Sequence, residues 1–102
     1  MTIKHIVMWR LKEEGVDGLT KAEVAAAIKQ QLEALRGRVP GLLSIEVGLD
    51  IERQDTSADV VLVSEFADAE ALAAYHHHPL HVAVAPFIGR ARSERRAVDY
   101  VV

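Results

Sequence analysis

Cysteine is absent from this chain of 102 residues. Disulfides, thiolate nucleophiles and thiolate metal sites are therefore excluded. No apolar run approaches the ~20 residues needed to span a bilayer, and no signal-peptide pattern opens the chain. There is no internal repeat, low-complexity stretch or linker. An excess of positive charge is missing too: Lys and Arg number 12 against 15 Asp and Glu, a formal net charge of −3. That balance argues against a nucleic-acid binder held by bulk charge. What remains is ordinary for a globular protein, with 50% hydrophobic and 26% charged residues. The length fits one domain over residues 1–102, since domains most often run to ~100–150 residues. A chain this size buries roughly 60–70% of its unfolded surface, enough for a core without staples. Composition leads us to expect a cytoplasmic protein with no membrane and no nucleic-acid partner.

Loops are few. Gly15 and Gly18 make Glu13–Gly18 a loop, and Glu52–Ser57 is polar throughout and reads as another. Thr2–Leu11 reads as a strand. Ile3, Val7, Trp9 and Leu11 share one face with His5, while Ile6 and Met8 lie on the other, so its middle is apolar on both sides. A helix starts at Thr20, which can form a capping box with Glu23. Val24, Ile28, Leu32, Leu35 and Val39 then give one apolar stripe at a spacing near 3.6. Gly37 is its expected stop, and Pro40-Gly41 rules out continuation.

Leu42–Ile51 reads as a second strand, in which Leu43, Ile45, Val47, Leu49 and Ile51 form the buried side. Asp59–Phe66 is a third, apolar on both faces through Val60-Val61-Leu62-Val63. A second helix begins near Asp68, a good N-cap, and continues through Glu70, Leu72 and Tyr75. Pro79 disfavours helical geometry at His78 and suits the first turn of a new helix. A short helical piece over Leu80–Ala85 is therefore expected, offset by a kink and ended by Pro86 and Gly89. The last strand is Glu94–Val102, with Val98, Tyr100 and Val102 on one face.

The order is β-α-β-β-α-β. This predicts an α+β, ferredoxin-like fold: a four-stranded antiparallel sheet with helices on one face. Helices on one face leave the other apolar face of the strands uncovered. In a chain with no spare segment, the simplest cover is a second copy. We therefore expect a homodimer whose sheets close face to face into a dimeric α+β barrel.

The main functional signal is histidine. Four of the five histidines lie in Tyr75-His76-His77-His78-Pro79-Leu80-His81, and the fifth is His5. Neutral imidazole, with an ordinary pKa of about 6.5, can remove a proton α to a carbonyl. A phenol, with an ordinary pKa of about 10, stays protonated and can donate to a developing enolate oxygen. Such a pair could drive an intramolecular aldol step without metal, nucleotide or nucleophilic cysteine.

Several stretches together resemble one family. They are Ile3-Lys4-His5-Ile6-Val7, Val39-Pro40-Gly41, Ser44-Ile45-Glu46-Val47-Gly48, Glu65-Phe66, Tyr75 with His78-Pro79-Leu80-His81, and Val98-Asp99-Tyr100. The chain resembles the stress-responsive dimeric α/β-barrel (Dabb) family over nearly its whole length. The resemblance implies the same ferredoxin-like dimeric barrel. The family's characterised chemistry is cofactor-free cyclisation of linear polyketides in plants, with the motif's tyrosine and last histidine as an acid–base pair. By resemblance, Tyr75 and His81 would be that catalytic pair, His5 and His78 would contact the ligand, and a small carbonyl compound would be the ligand. No cofactor is implied. Val60 and Leu32 stand where the cyclase carries further polar or aromatic cavity residues, so the resemblance implies a cavity but not the cyclase's particular substrate.

Other readings stand beside this one. The same residues could serve a non-catalytic ligand-binding or stress-response dimer, or a cofactor-independent monooxygenase of the same superfold. His81 could bond locally at a helix start, Tyr75 could be a core-edge aromatic, and His5 a satisfied buried histidine. His76 and His77 read as solvated helix-end residues. His77 and His81 are four apart, but Pro79 breaks their spacing and no carboxylate lies in the cluster, so no metal site is expected. Arg90, Arg92, Arg95 and Arg96 read as a solvated strand end. Trp9 belongs to the core or to the face between subunits.

Overall fold

The computed structural model describes every residue from Met1 to Val102. The strands are β1 (Ile3–Leu11), β2 (Leu42–Leu49), β3 (Val60–Phe66) and β4 (Arg92–Val101). The helices are α1 (Lys21–Glu33), α2 (Ala69–His77) and α3 (Pro79–Ala91). The sheet order is β2-β3-β1-β4, with every neighbouring pair antiparallel. This is the ferredoxin-like arrangement, with the second helix split into α2 and α3.

Local chemistry accounts for the starts. Thr20 Oγ1 accepts the Glu23 N–H at 3.2 Å, and Glu23 Oε1 accepts the Thr20 N–H at 2.9 Å. This is a complete capping box. Asp68 caps α2 by accepting the Ala71 N–H at 2.8 Å. Pro79 opens α3 where its missing N–H costs nothing, and His78 before it is extended (φ −66°, ψ 136°).

Four boundaries differ from the sequence reading. Helix α1 ends at Glu33, and i→i−3 bonds such as Leu35 N–H to Leu32 C=O wind the chain through turns to Gly37. The apolar stripe survives that change, because Leu35 and Val39 are buried all the same. Strand β2 stops at Leu49, and a register shift between Leu42 and Ser44 turns Leu43 outward to 57% exposure while Leu42 packs against the core. Helix α3 passes through Pro86 and Gly89 to Ala91, held by the burial of Val84, Ile88 and Ala91. Strand β4 starts at Arg92, directly from the end of α3.

One cluster of 18 buried residues lies between the sheet and the helices. Val7, Trp9 and Leu11 of β1, Ile45 and Val47 of β2, and Val60, Leu62 and Phe66 of β3 face Val24, Ile28 and Leu32 of α1 and Leu72 and Tyr75 of α2. Full burial of side chains this size contributes about 1.5–3 kcal/mol each before entropy is charged. Trp9 is part of this core. The edge strand β2 is guarded by α1 and the turns that follow it: Lys29 Nζ donates to Val47 C=O at 2.6 Å, Glu33 accepts the Val47 N–H at 3.0 Å, and Arg36 donates to Ile45 C=O. The Val47 N–H, with Lys29 beside it, holds the Glu33 carboxyl below its ordinary pKa.

The outer face of the sheet has no helix on it. The pairings Ile6–Val63, Met8–Val61 and Ile6–Val98 place these apolar side chains together, with Tyr100 opposite Lys4. Met8, Tyr100 and Val98 are 42%, 44% and 52% exposed. All ten residues of β4 are exposed, and its outer edge pairs with nothing.

Candidate functional site

A cavity of about 220 Å³ opens between the sheet and the split helical layer. Its floor is His5, Val7 and Trp9 of β1 with Leu62 of β3; its walls come from Leu32 of α1, from Tyr75 and His76 of α2, and from His81, Val84 and Ile88 of α3. Arg92 and Arg95 of β4 add two cationic side chains to the lining.

The break at His78-Pro79 brings the titratable groups together. The Tyr75 and His81 ring centroids are 4.5 Å apart, and His76 lies 5.6 Å from each. His5 is 5.6 Å from His76 and 6.3 Å from Tyr75. Tyr75 is only 2% exposed and packs on Phe66 at 5.0 Å between centroids. Its hydroxyl makes none of the side-chain hydrogen bonds of the fold, yet no buried polar side-chain atom is left without a partner, so the hydroxyl is open to the cavity. Burial pushes the Tyr75 phenol up to about 12, which keeps it a proton-bearing donor.

Hydrogen bonds set the two imidazole tautomers. His81 Nδ1 lies 3.2 Å from the His76 carbonyl oxygen. A carbonyl only accepts, so Nδ1 carries the proton and Nε2 keeps its lone pair. Burial lowers the His81 pKa, the bond to the His76 carbonyl partly opposes this, and the charges of His76, His5 and Arg95 lower it further. His5, itself 3% exposed, donates from Nδ1 to the Asp99 carboxylate. Its backbone carbonyl accepts from the buried Ser64 hydroxyl at 3.0 Å. Burial is also the main cause of the lowered His76 pKa.

Tyr75, His81 and His5 thus share one cavity. His78 does not line it: its Nδ1 accepts the Leu80 N–H at 3.1 Å and caps α3. Two sets of residues read from sequence as solvated line the cavity instead. His76 is exposed yet sits on its rim, and Arg92 and Arg95 of the basic run face the same space. The pairing of Arg95 with Trp9 and of Asp99 with His5 puts both on the helix side of the sheet. Only the register of β4 against β1 reveals this. No three His, Asp or Glu side chains come together in a way that could hold a metal ion, and no helix is long and apolar enough to cross a membrane.

A two-layer ferredoxin-like chain with a His- and Tyr-lined cavity beneath a split helix defines the class. The chain belongs to the stress responsive A/B barrel domain family, Dabb, whose profile matches residues 3–102. It is similar in structure to a dimeric protein of unknown function with a ferredoxin-like fold from Bacteroides fragilis NCTC 9343. The two are 30% identical, with 99% of this chain and 96% of that one covered and a TM-score of 0.84. A dimeric ferredoxin-like protein of unknown function from Thermobifida fusca YX is 24% identical, with 100% and 92% covered and a TM-score of 0.84. The hydroxynitrile lyase of Passiflora edulis shares the fold at 15% identity, with 99% and 93% covered and a TM-score of 0.75. No curated protein matches the sequence.

Proposed function

We propose that the cavity is a cofactor-free acid–base site acting on a small, polyketide-like carbonyl compound, as a cyclase or isomerase, in a homodimer of this chain. The observation that carries the reading is the convergence of Tyr75 and His81 on one cavity, 4.5 Å between ring centroids, with opposite proton roles. His81 Nε2 holds a lone pair and accepts the proton from the carbon α to the carbonyl. The Tyr75 hydroxyl donates to the carbonyl oxygen as it becomes an enolate. In a cyclisation the enolate carbon then bonds to a second carbonyl carbon of the same molecule, and the proton held by His81 returns to the new alkoxide. The apolar walls supply proximity by folding the substrate on itself. His5, fixed by Asp99, completes the polar floor beside the pair.

The dimer part of the reading rests on the bare apolar outer face and the unpaired edge of β4. The Bacteroides and Thermobifida proteins, alike in fold, are dimers. A cytoplasmic location belongs to the same reading and rests on composition.

The test is deuterium incorporation from heavy water at the α-carbon of a linear 1,3-diketone, followed by NMR. The wild-type protein should accelerate it over the buffer rate. Tyr75→Phe should lose roughly 10²–10³-fold, as for loss of an oxyanion donor, and His81→Gln roughly 10²–10⁴-fold, as for loss of a general base. Tyr75→Phe should keep its melting temperature, because the hydroxyl has no protein partner to lose. If wild type gives only the buffer rate, or both variants exchange as fast as wild type, these residues only shape a binding cavity.

A further inference from the structure

The cavity is apolar below and cationic at its opening. None of its 14 lining residues is Asp or Glu, although the chain as a whole carries more acidic than basic side chains. Asp99, which lies outside this lining, is bound by the Nδ1 of the floor residue His5. Arg92 and Arg95 form none of the ion pairs of the molecule, and neither guanidinium donates a hydrogen bond within it. Arg10, Arg36, Arg90 and Arg96, by contrast, all donate to protein oxygens.

The fold explains why these two are free. Strand β4 lies at the sheet edge, beyond the cover of the helices. The small Ala97 pairs with Val7 between Arg95 and Asp99. Arg95, opposite Trp9 on the helix side of this edge, is exposed and lines the cavity, so its long cationic side chain stands between the cavity and solvent. Its charge bears on the site, contributing to the lowered pKa values of both His76 and His81.

We infer that the cavity selects carbonyl compounds carrying a carboxylate, which the Arg95 and Arg92 guanidiniums hold at the mouth while the carbonyl end reaches Tyr75 and His81. This deepens the acid–base reading above, and rests on it for the placement of the carbonyl end. Guanidinium matches a carboxylate in a planar, two-bond geometry. The volume sets the size: about 220 Å³ exceeds the ~150 Å³ apolar cavity that takes up benzene. It falls short of the ~300–1,000 Å³ of clefts for drug-sized ligands. One ring, or a folded chain of similar bulk, with a short acidic arm fits.

The experiment is calorimetric titration of the full chain with 4-acetylbenzoate and with its neutral isostere 4-acetylbenzamide, at low and at high salt. The acid should bind about tenfold more tightly or better, the value expected of charge-assisted hydrogen bonds, and salt should erode that preference. Arg95→Gln should remove most of the preference and leave amide affinity within about twofold. Arg95→Lys, which keeps the charge without the fork, should retain part of it. Tyr75→Phe should keep the preference in full even where it abolishes deuterium exchange, so failure of the chemistry and failure of the anion site read out separately. Equal affinity for acid and amide, no binding of either at millimolar concentration, or an Arg95→Gln protein that still prefers the acid would each overturn the inference.

Discussion

Two adjacent residues of β3 point to opposite sides of the sheet, and the same substitution in each should have opposite consequences. Val61 pairs with Met8 of β1 and Gly48 of β2 on the outer face, and Leu62 pairs with Val7 and Val47 on the core face. The molecule measures 39 × 27 × 17 Å. Its broad side thus presents on the order of 1,000 Å², against the ~800 Å² per partner of a standard interface. In a lone chain a glutamate at position 61 would reach water. In a face-to-face dimer it would be buried twice, once per protomer. Taking about 3 kcal/mol for each desolvated carboxylate gives about 6 kcal/mol, or roughly a 10⁴-fold rise in Kd. Val61→Glu should therefore sediment as a folded monomer at concentrations where wild type is a dimer. Leu62 is 2% exposed, so Leu62→Glu both loses a core side chain and buries a charge. The cost, about 5 kcal/mol or more, is a large part of the ~5–15 kcal/mol stability of a domain. That variant should fail to fold. Sedimentation velocity with circular dichroism decides both. A Val61→Glu protein that stays dimeric, or a wild-type chain that is monomeric at micromolar concentration, would refute the two-sided burial argument.

Three further outcomes follow from particular residues. Gly41 holds φ +79°, and a Cβ there would lie 2.5 Å from the Ala71 Cβ, so Gly41→Ala should cost about 1–3 kcal/mol and lower Tm by several degrees in thermal denaturation. Pro86 sits exposed inside α3; Pro86→Ala restores an N–H to the helical ladder and should raise stability by about 1–3 kcal/mol in urea denaturation. His76 and His81 have folded pKa values below the ordinary 6.5. Their neutral forms favour the fold, so stability is complete above pH ~6.5 and falls as pH drops through and below that value. Exchange activity should follow the same acidic limb, with no basic limb short of the Tyr75 phenol at about 12. His81→Gln should remove its own share of the stability loss, leaving that of His76, between pH ~6.5 and the lower range where Glu23 and Glu33, both held below their ordinary carboxyl value, begin to protonate.

The features legible in the sequence are those decided within a few residues. The Thr20–Glu23 capping box, the Asp68 cap and the Pro79 break are each decided within three positions along the chain, and they stand where the pattern put them. The two-sided apolar middle of β1 is legible for the same reason, since strand alternation is rigid. Distant packing decided the rest. Nothing local says that α3 should run through Pro86; the burial of Val84, Ile88 and Ala91 carries the helix across it. Nothing local marks the register shift that exchanges Leu43 for Leu42. His76 on the cavity rim and Arg95 over its mouth depend on the rotation of α2 and on the pairing of β4 with β1 across almost the whole chain. Histidine density pointed to the segment that lines the cavity, yet it did not separate His78, which caps a helix, from His76, which faces the cavity.

The separation of Tyr75 and His81 in sequence explains why the helical break matters more than the helices. On an unbroken α-helix, residues six apart are rotated by roughly 120° and project from different sides. At His78 the chain turns extended for one residue and restarts at Pro79, which resets the rotation and returns His81 to the side of Tyr75. Two bonds hold the restart: His78 Nδ1 on the Leu80 N–H, and His81 Nδ1–H on the His76 carbonyl at the end of α2. The second bond does two jobs at once, since it ties α3 back to α2 and fixes the tautomer that leaves Nε2 basic. Geometry and proton placement at His81 thus have a common origin in the interruption of the helix, and a continuous helix through this segment would lose both together.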